Sequence, residues 1–261
     1  MEYAFVSGAT GGIGKAFCYS LAKRKENLFI TARSEDKLCA LKEELVKKFG
    51  VNVIAFSCDL TSLEERQNLV QFVKDNGIKL ARIVNVAGVD TQKPVLDYTE
   101  EKLLFQLKVN AEATIHLTHS LLFYRAHSCK IITIGSMSGA TPMPYFALYS
   151  ATKSMLESFF ISLHYELKKQ GVFVTVVAPG GVPTRPDIIE EIKKQGLWGK
   201  LSAKTPEYIA KKSIKKSDKN KIKYVPGFFN KFLNFIIKIA PKRVTLKFIA
   251  RRWKKTSKDA F

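Results

Sequence analysis

The sequence predicts an α/β fold, in which a doubly wound, mainly parallel sheet of seven strands has helices on both faces. Two observations predict it. Short apolar, β-branched runs alternate with longer amphipathic stretches, as parallel strands joined by crossover helices require. A glycine-rich segment also joins the first apolar run to the first amphipathic stretch. With 261 residues, 46% of them hydrophobic, the chain can bury the core of one such domain, and we expect a single domain over residues 1–261.

The apolar runs come at regular intervals. They predict strands at Tyr3–Ser7, Leu28–Ala32, Asn52–Ser57, Ile83–Val86, Lys130–Gly135, Phe173–Ala178 and Lys223–Val225. The amphipathic stretches between them predict helices that begin near Gly12, Glu35, Leu63, Thr99, Ala147 and Thr205. Ligands of a doubly wound sheet bind beyond the C-terminal ends of the strands, and the chemically distinctive motifs of this chain fall there.

The segment after the first strand reads Ser-Gly-Ala-Thr-Gly-Gly-Ile-Gly and leads directly into a helix. Gly8, Gly12 and Gly14 allow the backbone to turn sharply and to approach a pyrophosphate, whose charge would lie at the helix N-terminus. Because the loop joins a strand to a helix in the first unit of an alternating chain, it predicts a dinucleotide site rather than a purely structural turn. Thr10 and Ile13 complete the loop residues expected at the cofactor.

The spacing G-x-x-x-G-x-G resembles that of the short-chain dehydrogenase/reductase family, and the pair Tyr149 and Lys153 strengthens the resemblance. Specific motifs support it over residues 1 to about 186. The resemblance implies a Rossmann-like fold and hydride transfer between a nicotinamide dinucleotide and a carbonyl or alcohol. Within the family, the chain resembles NADP(H)-dependent hydroxysteroid dehydrogenases and ketoreductases.

The end of the second strand indicates which dinucleotide binds. The family places an acidic residue there when the cofactor is NAD, but here Ala32 stands at that place and Arg33 follows. A carboxylate would repel a 2′-phosphate, whereas a guanidinium can bind it. We therefore expect NADP(H) rather than NAD(H). The second basic residue that NADP enzymes of the family often carry in the glycine loop is replaced by Gly11, with Lys15 and Lys37 nearby.

After the third strand, Asp59 matches the family's acidic residue that contacts the adenine amino group, and Leu60 follows it. A structural alternative is that Asp59 caps the turn that precedes Thr61. Both interpretations place Asp59 at the C-terminal end of a strand.

After the fourth strand, Asn-Val-Ala-Gly resembles the family's Asn-Asn-Ala-Gly. Asn85, Ala87 and Gly88 are therefore expected to line the cofactor site. Val86 replaces the second Asn, so the hydrogen bond that this Asn gives to neighbouring backbone must be lost or supplied by another group.

Four residues match the family's catalytic set, and the resemblance implies that two of them, Tyr149 and Lys153, also bind the cofactor. Tyr149 and Lys153 are four apart at the start of a helix, which puts both on one face. A tyrosine with a pKa near ~10 is a poor acid–base catalyst at neutral pH, and an adjacent cation stabilises its phenolate. By the resemblance, Ser136 at the end of the fifth strand would bind the reacting oxygen, with Ser138 less favoured. Asn110, in the fourth helix, would help to hold a water-linked proton path to the lysine.

After the sixth strand, Pro-Gly-Gly-Val-Pro-Thr matches the family's Pro-Gly-x-Val-x-Thr. The resemblance implies that Pro179, Gly180, Val182 and Thr184 pack against the nicotinamide, with Thr184 at its carboxamide. From residue 184 to residue 204 the chain is punctuated by Pro, Gly and Lys, which predicts a mobile segment over the site.

Residues 226–261 form a basic extension. Apolar residues recur at helical intervals from Phe228 to Ala240, with Lys231 and Lys238 between them, and a stretch of similar character follows Pro241. Packing against the sheet edge or a neighbouring subunit would explain this pattern. Attachment to an anionic membrane surface, or a wall for a lipid-like substrate, would explain it as well.

The substrate is expected to be bulky and hydrophobic, because Met143, Pro144, Tyr145, Phe146 and Trp198 suggest an apolar pocket. A hydroxysteroid is the expected example. A ketone on an acyl chain, such as a 3-oxoacyl thioester whose phosphates would suit the basic surface, is the alternative. A regulator that binds NADP without catalysis is a different class of protein, and it would not need the whole catalytic set.

Composition limits the partners and the location. The net charge of +20 favours anionic partners, but no nucleic-acid motif accompanies it. The four cysteines are scattered without metal or redox spacing, so we expect four buried free thiols and a reducing cytoplasm. We expect no secretory signal, and lysines interrupt each hydrophobic stretch before the roughly 20 residues that span a bilayer. The family also implies a homodimer or homotetramer, formed through helices at about Thr99–Tyr124 and Ala147–Gln170.

Overall fold

The predicted sheet is confirmed. In the computed structural model, which describes residues 1–254, the strands are β1 (Glu2–Ser7), β2 (Leu28–Ala32), β3 (Val53–Ser57), β4 (Lys79–Asn85), β5 (Arg125–Ile134), β6 (Val172–Val177) and β7 (Lys223–Tyr224). They are parallel and lie in the order β3-β2-β1-β4-β5-β6-β7. Successive strands are added toward one edge of the sheet from β1 to β3 and toward the other edge from β4 onward. This switch point between β1 and β4 leaves a crevice at the C-terminal ends of those two strands.

Helices cover both faces of the sheet. They are α1 (Gly12–Ala22), α2 (Glu35–Phe49), α3 (Leu63–Asp75), α4 (Glu100–Leu107), α5 (Ala113–Leu121), α6 (Ala147–Leu167), α7 (Pro186–Lys194), α8 (Gly196–Ser202), α9 (Pro206–Asp218), α10 (Phe228–Ile239) and α11 (Lys242–Trp253). Thr99 and Thr205, expected as helix starts, are N-caps whose hydroxyls accept hydrogen bonds from the backbone N three residues on. The C-terminal extension contains α10 and α11, and residues 255–261 lie outside the described residues.

Two buried clusters, one on each face of the sheet, form the core. Successive side chains of a strand point to opposite faces, so Val6 packs with α1, α2 and α9, while its neighbour Phe5 packs with α3, α5 and α6. Because both faces are covered, the central strands are apolar on both sides and show no alternation of polar residues.

Strand β4 begins four residues earlier than the sequence suggested, because Arg82 interrupts its apolar pattern. In the structure Arg82 is buried and forms ion pairs with Glu26 at 3.1 Å and with Asp218 at 3.1 Å. Pairing satisfies a charge that would otherwise exclude this position from a buried strand. The register between β4 and β5 is irregular at this point, and β5 also begins earlier than expected.

Two segments differ from their predicted form. The helix expected over Thr99–Tyr124 is interrupted by a π-helical turn at Lys108–Glu112, which separates α4 from α5. The segment 184–204 contains the helices α7 and α8 rather than irregular chain. Its mobility stays a prediction.

The prediction of four buried thiols is wrong for one cysteine. Cys39 is exposed, whereas the other three are buried. Helix α2 turns Leu38, Leu41 and Leu45 toward the core, and this leaves position 39 on the solvent side of the helix. Within residues 1–254, the structure has no helix with the length and apolar character that a membrane crossing requires.

Candidate active site

Two cavities meet at the C-terminal edge of the sheet. The first, of about 320 Å³, lies beside the glycine loop and the ends of β2 and β3. The second, of about 620 Å³, contains the predicted catalytic residues. They share lining residues, namely Ile13, Val86, Gly88, Val89, Thr184 and Arg185. The cavities are therefore two halves of one groove.

The glycine loop forms one wall of the first cavity, where Gly8, Thr10, Gly12, Ile13 and Gly14 all lie. Gly8 has a φ of +65°, and a Cβ built on Gly14 would lie 2.0 Å from the Gly8 carbonyl oxygen. Helix α1 begins here with no side-chain cap and no acidic residue in its first turn. Its first N–H groups therefore suit a phosphate, which fits the predicted dinucleotide.

The ends of β2 and β3 form the far wall of the first cavity. Arg33 is exposed there, and Asp59 and Leu60 line the same cavity. One carboxylate oxygen of Asp59 accepts hydrogen bonds from the backbone N and the hydroxyl of Thr61, both at 2.8 Å. The turn-capping alternative is thus observed, and it is compatible with a position at the groove.

The segment after β4 meets the expectation only in part, because Ala87 and Gly88 line the groove and Asn85 does not. The amide nitrogen of Asn85 is buried and donates to the hydroxyls of Thr118 at 2.9 Å and Thr133 at 3.2 Å. Asn85 thus joins β4 to its neighbours inside the protein.

The backbone beside Val86 is held by Ser7. The Ser7 hydroxyl accepts from the backbone N of Val86 at 3.2 Å and of Ala87 at 3.5 Å. Ser7 is paired in register with Asn85 across β1 and β4, so its side chain reaches the residues that follow. Sequence reasoning missed this role because the register between the two strands, its only signal, is set by the fold.

Ser136, Tyr149 and Lys153 come together in the second cavity. The Ser136 hydroxyl lies near that of Tyr149 and favours the charged form of the phenol. The Lys153 ammonium lies 5.5 Å from the centroid of the Tyr149 ring and donates to the carbonyl oxygen of Ile134 at 3.0 Å. The Ser136 hydroxyl also accepts from the backbone N of Ser138 at 3.1 Å, which orients it. The arrangement can bind a substrate oxygen and exchange a proton with it.

Asn110 lies behind this cluster. The π-helical turn places it fully buried, with its amide bonded to the backbone of Val89. A Cβ built on Gly88 would lie 3.2 Å from the Asn110 oxygen and 3.3 Å from the Lys153 ammonium. Gly88 therefore keeps open the space between Asn110 and Lys153, where the resemblance places a proton path.

Burial dominates the pKa values of the pair. It raises the pKa of Tyr149 well above the usual value, the charge of Asp90 raises it further, and the nearby Ser136 hydroxyl opposes the rise. Burial lowers the pKa of Lys153 to about 8, against an opposing effect of Asp90. The expected depression of the Tyr149 pKa is therefore absent from the protein alone, because the penalty for burying a phenolate is larger than the stabilisation around it.

The segment after β6 closes the groove, and Pro179, Gly180, Val182 and Thr184 all line the second cavity. The Pro179 carbonyl accepts from the backbone N of Met137 at 3.0 Å, which ties this turn to the Ser136 loop. A Cβ built on Gly12 would lie 2.9 Å from the Thr184 side chain, so Thr184 reaches across to the glycine loop.

Asp90 and Arg185 were missed by sequence reasoning. They form an ion pair at 3.3 Å that joins the loop after β4 to the start of α7. Arg185 also pairs with Asp187 at 3.1 Å. The two partners at the groove are 95 residues apart, so no local motif could reveal them.

The rest of the second cavity is largely apolar, with walls from the segment before α6 and from α7, α8, α10 and α11. Phe146 stacks on Tyr149 with ring centroids 4.4 Å apart. Of the residues expected in an apolar pocket, Met143, Phe146 and Trp198 line the cavity. The C-terminal extension adds residues that include Leu233, Ile236, Ile237, Val244, Phe248 and Ile249. A bulky apolar group fits such walls.

A doubly wound sheet, an uncapped glycine-loop helix and a Ser-Tyr-Lys cluster in the adjoining cavity define an oxidoreductase that uses a nicotinamide dinucleotide on carbonyl or alcohol groups. The family model described as short chain dehydrogenase matches residues 2–194. The chain belongs to this family.

Its curated relatives include the very-long-chain 3-oxoacyl-CoA reductases. The Bos taurus protein is 33% identical over 225 residues, which cover 82% of this chain and 68% of the relative. The Mus musculus protein is 33% identical over 213 residues, 78% of this chain and 65% of the relative. The Kluyveromyces lactis protein is 35% identical over 185 residues, which cover 67% of this chain and 53% of the relative. The chain thus spans about half to two thirds of the length of these relatives.

Solved structures show the same fold. A 7beta-hydroxysteroid dehydrogenase superposes with a TM-score of 0.85 at 23% identity, covering 95% of this chain and 96% of the other. The L-sorbose reductase of Gluconobacter frateurii, solved with NADPH and L-sorbose, gives a TM-score of 0.77 at 24% identity. The superposition covers 87% of this chain and 95% of the reductase. The first of these likenesses covers more of the chain than the family-model match does.

Proposed function

We propose that the protein is an NADP(H)-dependent reductase of 3-oxoacyl thioesters with long acyl chains. The observation that supports it is the position of Ser136, Tyr149 and Lys153 in a cavity of about 620 Å³ whose outer walls are apolar helices. The relatives named very-long-chain 3-oxoacyl-CoA reductase favour this substrate over the hydroxysteroid expected from the sequence. The net charge of +20 also suits the phosphates of an acyl carrier.

The residues of the first cavity would hold NADP(H). The uncapped start of α1 would bind the pyrophosphate, Asp59 and Leu60 would border the adenine, and Arg33 would pair with the 2′-phosphate. The segment from Pro179 to Thr184 would pack against the nicotinamide. When bound, the cofactor supplies the hydride that reduces the ketone carbon.

The catalytic residues would act on the ketone oxygen. Ser136 holds this oxygen by a hydrogen bond, and Tyr149 donates its proton to it as the carbon is reduced. The raised pKa of Tyr149 keeps the phenol protonated at neutral pH, which is the form that reduction requires. The Lys153 ammonium then stabilises the phenolate left behind, and a proton returns by the path beside Asn110.

The test is a screen of NADPH and NADH consumption with 3-oxoacyl thioesters of increasing chain length, oxosteroids and small carbonyls. We expect kcat/KM to rise with acyl length and to favour NADPH over NADH by at least about tenfold. Preference for an oxosteroid would replace the proposed substrate, and preference for NADH would contradict the role of Arg33. NADPH binding without turnover of any carbonyl would indicate a non-catalytic NADP-binding regulator instead. The cytoplasmic location and the homo-oligomer stay predictions.

A further inference from the structure

Helix α10 has two apolar faces, and only one of them lines the cavity. Leu233 and Ile237 line the second cavity. On the outward side, Phe228, Phe232, Phe235 and Ile239 follow one another at helical spacing, with exposed fractions of 87%, 53%, 58% and 62%. Four large apolar side chains in a row on one exposed face are unusual for a helix in water.

The neighbouring helices add to this surface. Leu197 and Leu201 of α8 are exposed, as are Val244 and Phe248 of α11. Contacts hold these helices together, since Trp198 packs edge-on against Phe229 at 5.1 Å and Arg252 lies over Trp198 at 5.1 Å. We use the term apolar rim for the exposed side chains of these helices, namely Leu197, Leu201, Phe228, Phe232, Phe235, Ile239, Val244 and Phe248.

Basic residues accompany the apolar rim without acidic ones. Residues 226–254 contain eight Lys and Arg residues and no Asp or Glu, as the sequence shows. Seven of these are exposed: Lys231, Lys238, Lys242, Arg243, Lys247, Arg251 and Lys254. Such a surface attracts an anionic layer and repels a second copy of itself, because pairing two copies would bring like charges together.

The catalytic cavity reaches the surface beside the apolar rim. Ile236, Val244 and Phe248 line the cavity and are also exposed, at 37%, 62% and 56%. An opening therefore lies between α10 and α11, next to the outward face of α10.

We propose that the apolar rim docks on an anionic phospholipid bilayer, so that the opening between α10 and α11 faces the acyl chains and the substrate reaches Tyr149 from the membrane. The phenylalanines enter the interface and the lysines and arginines bind the lipid phosphates. The docking is inferred from the exposed residues alone, whereas the substrate route rests on the proposed function.

The test is co-sedimentation of the full chain with phosphatidylcholine vesicles, with and without phosphatidylglycerol. We expect binding only when phosphatidylglycerol is present, and weaker binding as salt is added. The double variant Phe232→Ser, Phe235→Ser changes two side chains that do not line the cavity, and it should lower vesicle affinity at least about tenfold. The variant Lys242→Gln, Arg243→Gln, Lys247→Gln should also lower it.

The matched control is Leu63→Ser, Leu96→Ser, which removes two apolar residues exposed at 49% and 96% outside these helices and outside the helices expected at the subunit interface. It should bind vesicles as the unchanged chain does. Equal binding of the Phe232, Phe235 variant, or no binding to anionic vesicles, would overturn the proposal. Conversion of a dimer to a monomer by that variant in light scattering, without vesicle binding, would instead make the face a subunit interface.

Turnover separates the two proposals. The Phe232, Phe235 variant should keep the rate on a short, water-soluble 3-oxoacyl thioester and lose any stimulation by vesicles on a long one. If the unchanged chain turns over neither thioester, the proposed function fails, and vesicle binding still decides the docking.

Discussion

Asn110 and Val89 exchange two hydrogen bonds: the Asn110 oxygen accepts from the Val89 N at 2.7 Å, and its amide nitrogen donates to the Val89 carbonyl at 2.8 Å. The side chain thus pairs with the loop after β4 as a strand backbone would. This loop carries Gly88 and Asp90, which lie on either side of Val89 and border the groove. The interior position of Asn110 and the shape of the active site are therefore linked.

Replacing Asn110 by Ala should weaken both the fold and the activity. The change leaves the backbone N and O of Val89 without their partners, at a cost of about 1–3 kcal/mol in the free energy of unfolding. It also frees the loop beside Lys153, so kcat should fall by more than stability explains. Urea unfolding and steady-state kinetics measure the two effects. If the free energy of unfolding falls and kcat does not change, Asn110 has a structural role only.

The ion pair of Asp90 and Arg185 should set the pH dependence of turnover. Reduction needs the charged Lys153, so the rate should fall as pH rises through about 8, the lowered pKa of Lys153. The charge of Asp90 raises this pKa. Asp90→Asn should therefore shift the fall in rate to lower pH, and Arg185→Gln, which leaves Asp90 without that cation, should shift it to higher pH. The profile of kcat against pH checks both, and shifts in the same direction would contradict the account.

Gly14→Ala should weaken cofactor binding, because the added Cβ would lie 2.0 Å from the Gly8 carbonyl oxygen. The loop would have to move away from the start of α1. Gly11→Ala is the matched control, since its Cβ would meet the same oxygen at an ordinary 3.4 Å. NADPH fluorescence titration should show a loss of at least about tenfold in affinity for the first variant and little change for the second. Equal affinities would mean that the close approach does not shape the site.

Arg33→Glu should reverse the cofactor preference. A carboxylate at this position would repel a 2′-phosphate and could accept hydrogen bonds from ribose hydroxyls. The ratio of kcat/KM for NADPH to that for NADH should fall by about two orders of magnitude, as the loss of a charged contact worth about 3 kcal/mol implies. For Arg33→Gln this ratio should lie between those of the unchanged chain and the Glu variant. A ratio that does not change would place Arg33 outside the binding site.

The sequence was informative where chemistry is local. The glycine loop and the pair Tyr149 and Lys153 are each encoded within a few residues, so their place at the strand ends followed from the alternation of elements. The roles of Ser7 and Asp90 depend on strand register and on a partner far along the chain, which spacing cannot show. Arg82 was hidden for a related reason, because a buried charge is recognisable only once its distant partner Asp218 is in place.

The central claim is that Tyr149 supplies the proton in an NADPH-dependent reduction. The most direct measurement compares the unchanged chain with Tyr149→Phe in turnover of a long-chain 3-oxoacyl thioester and in NADPH affinity. Removing one hydroxyl from a general acid should lower kcat by a factor of about 10²–10⁴ and leave the NADPH Kd within about twofold. A Tyr149→Phe protein that keeps substantial turnover would contradict the account.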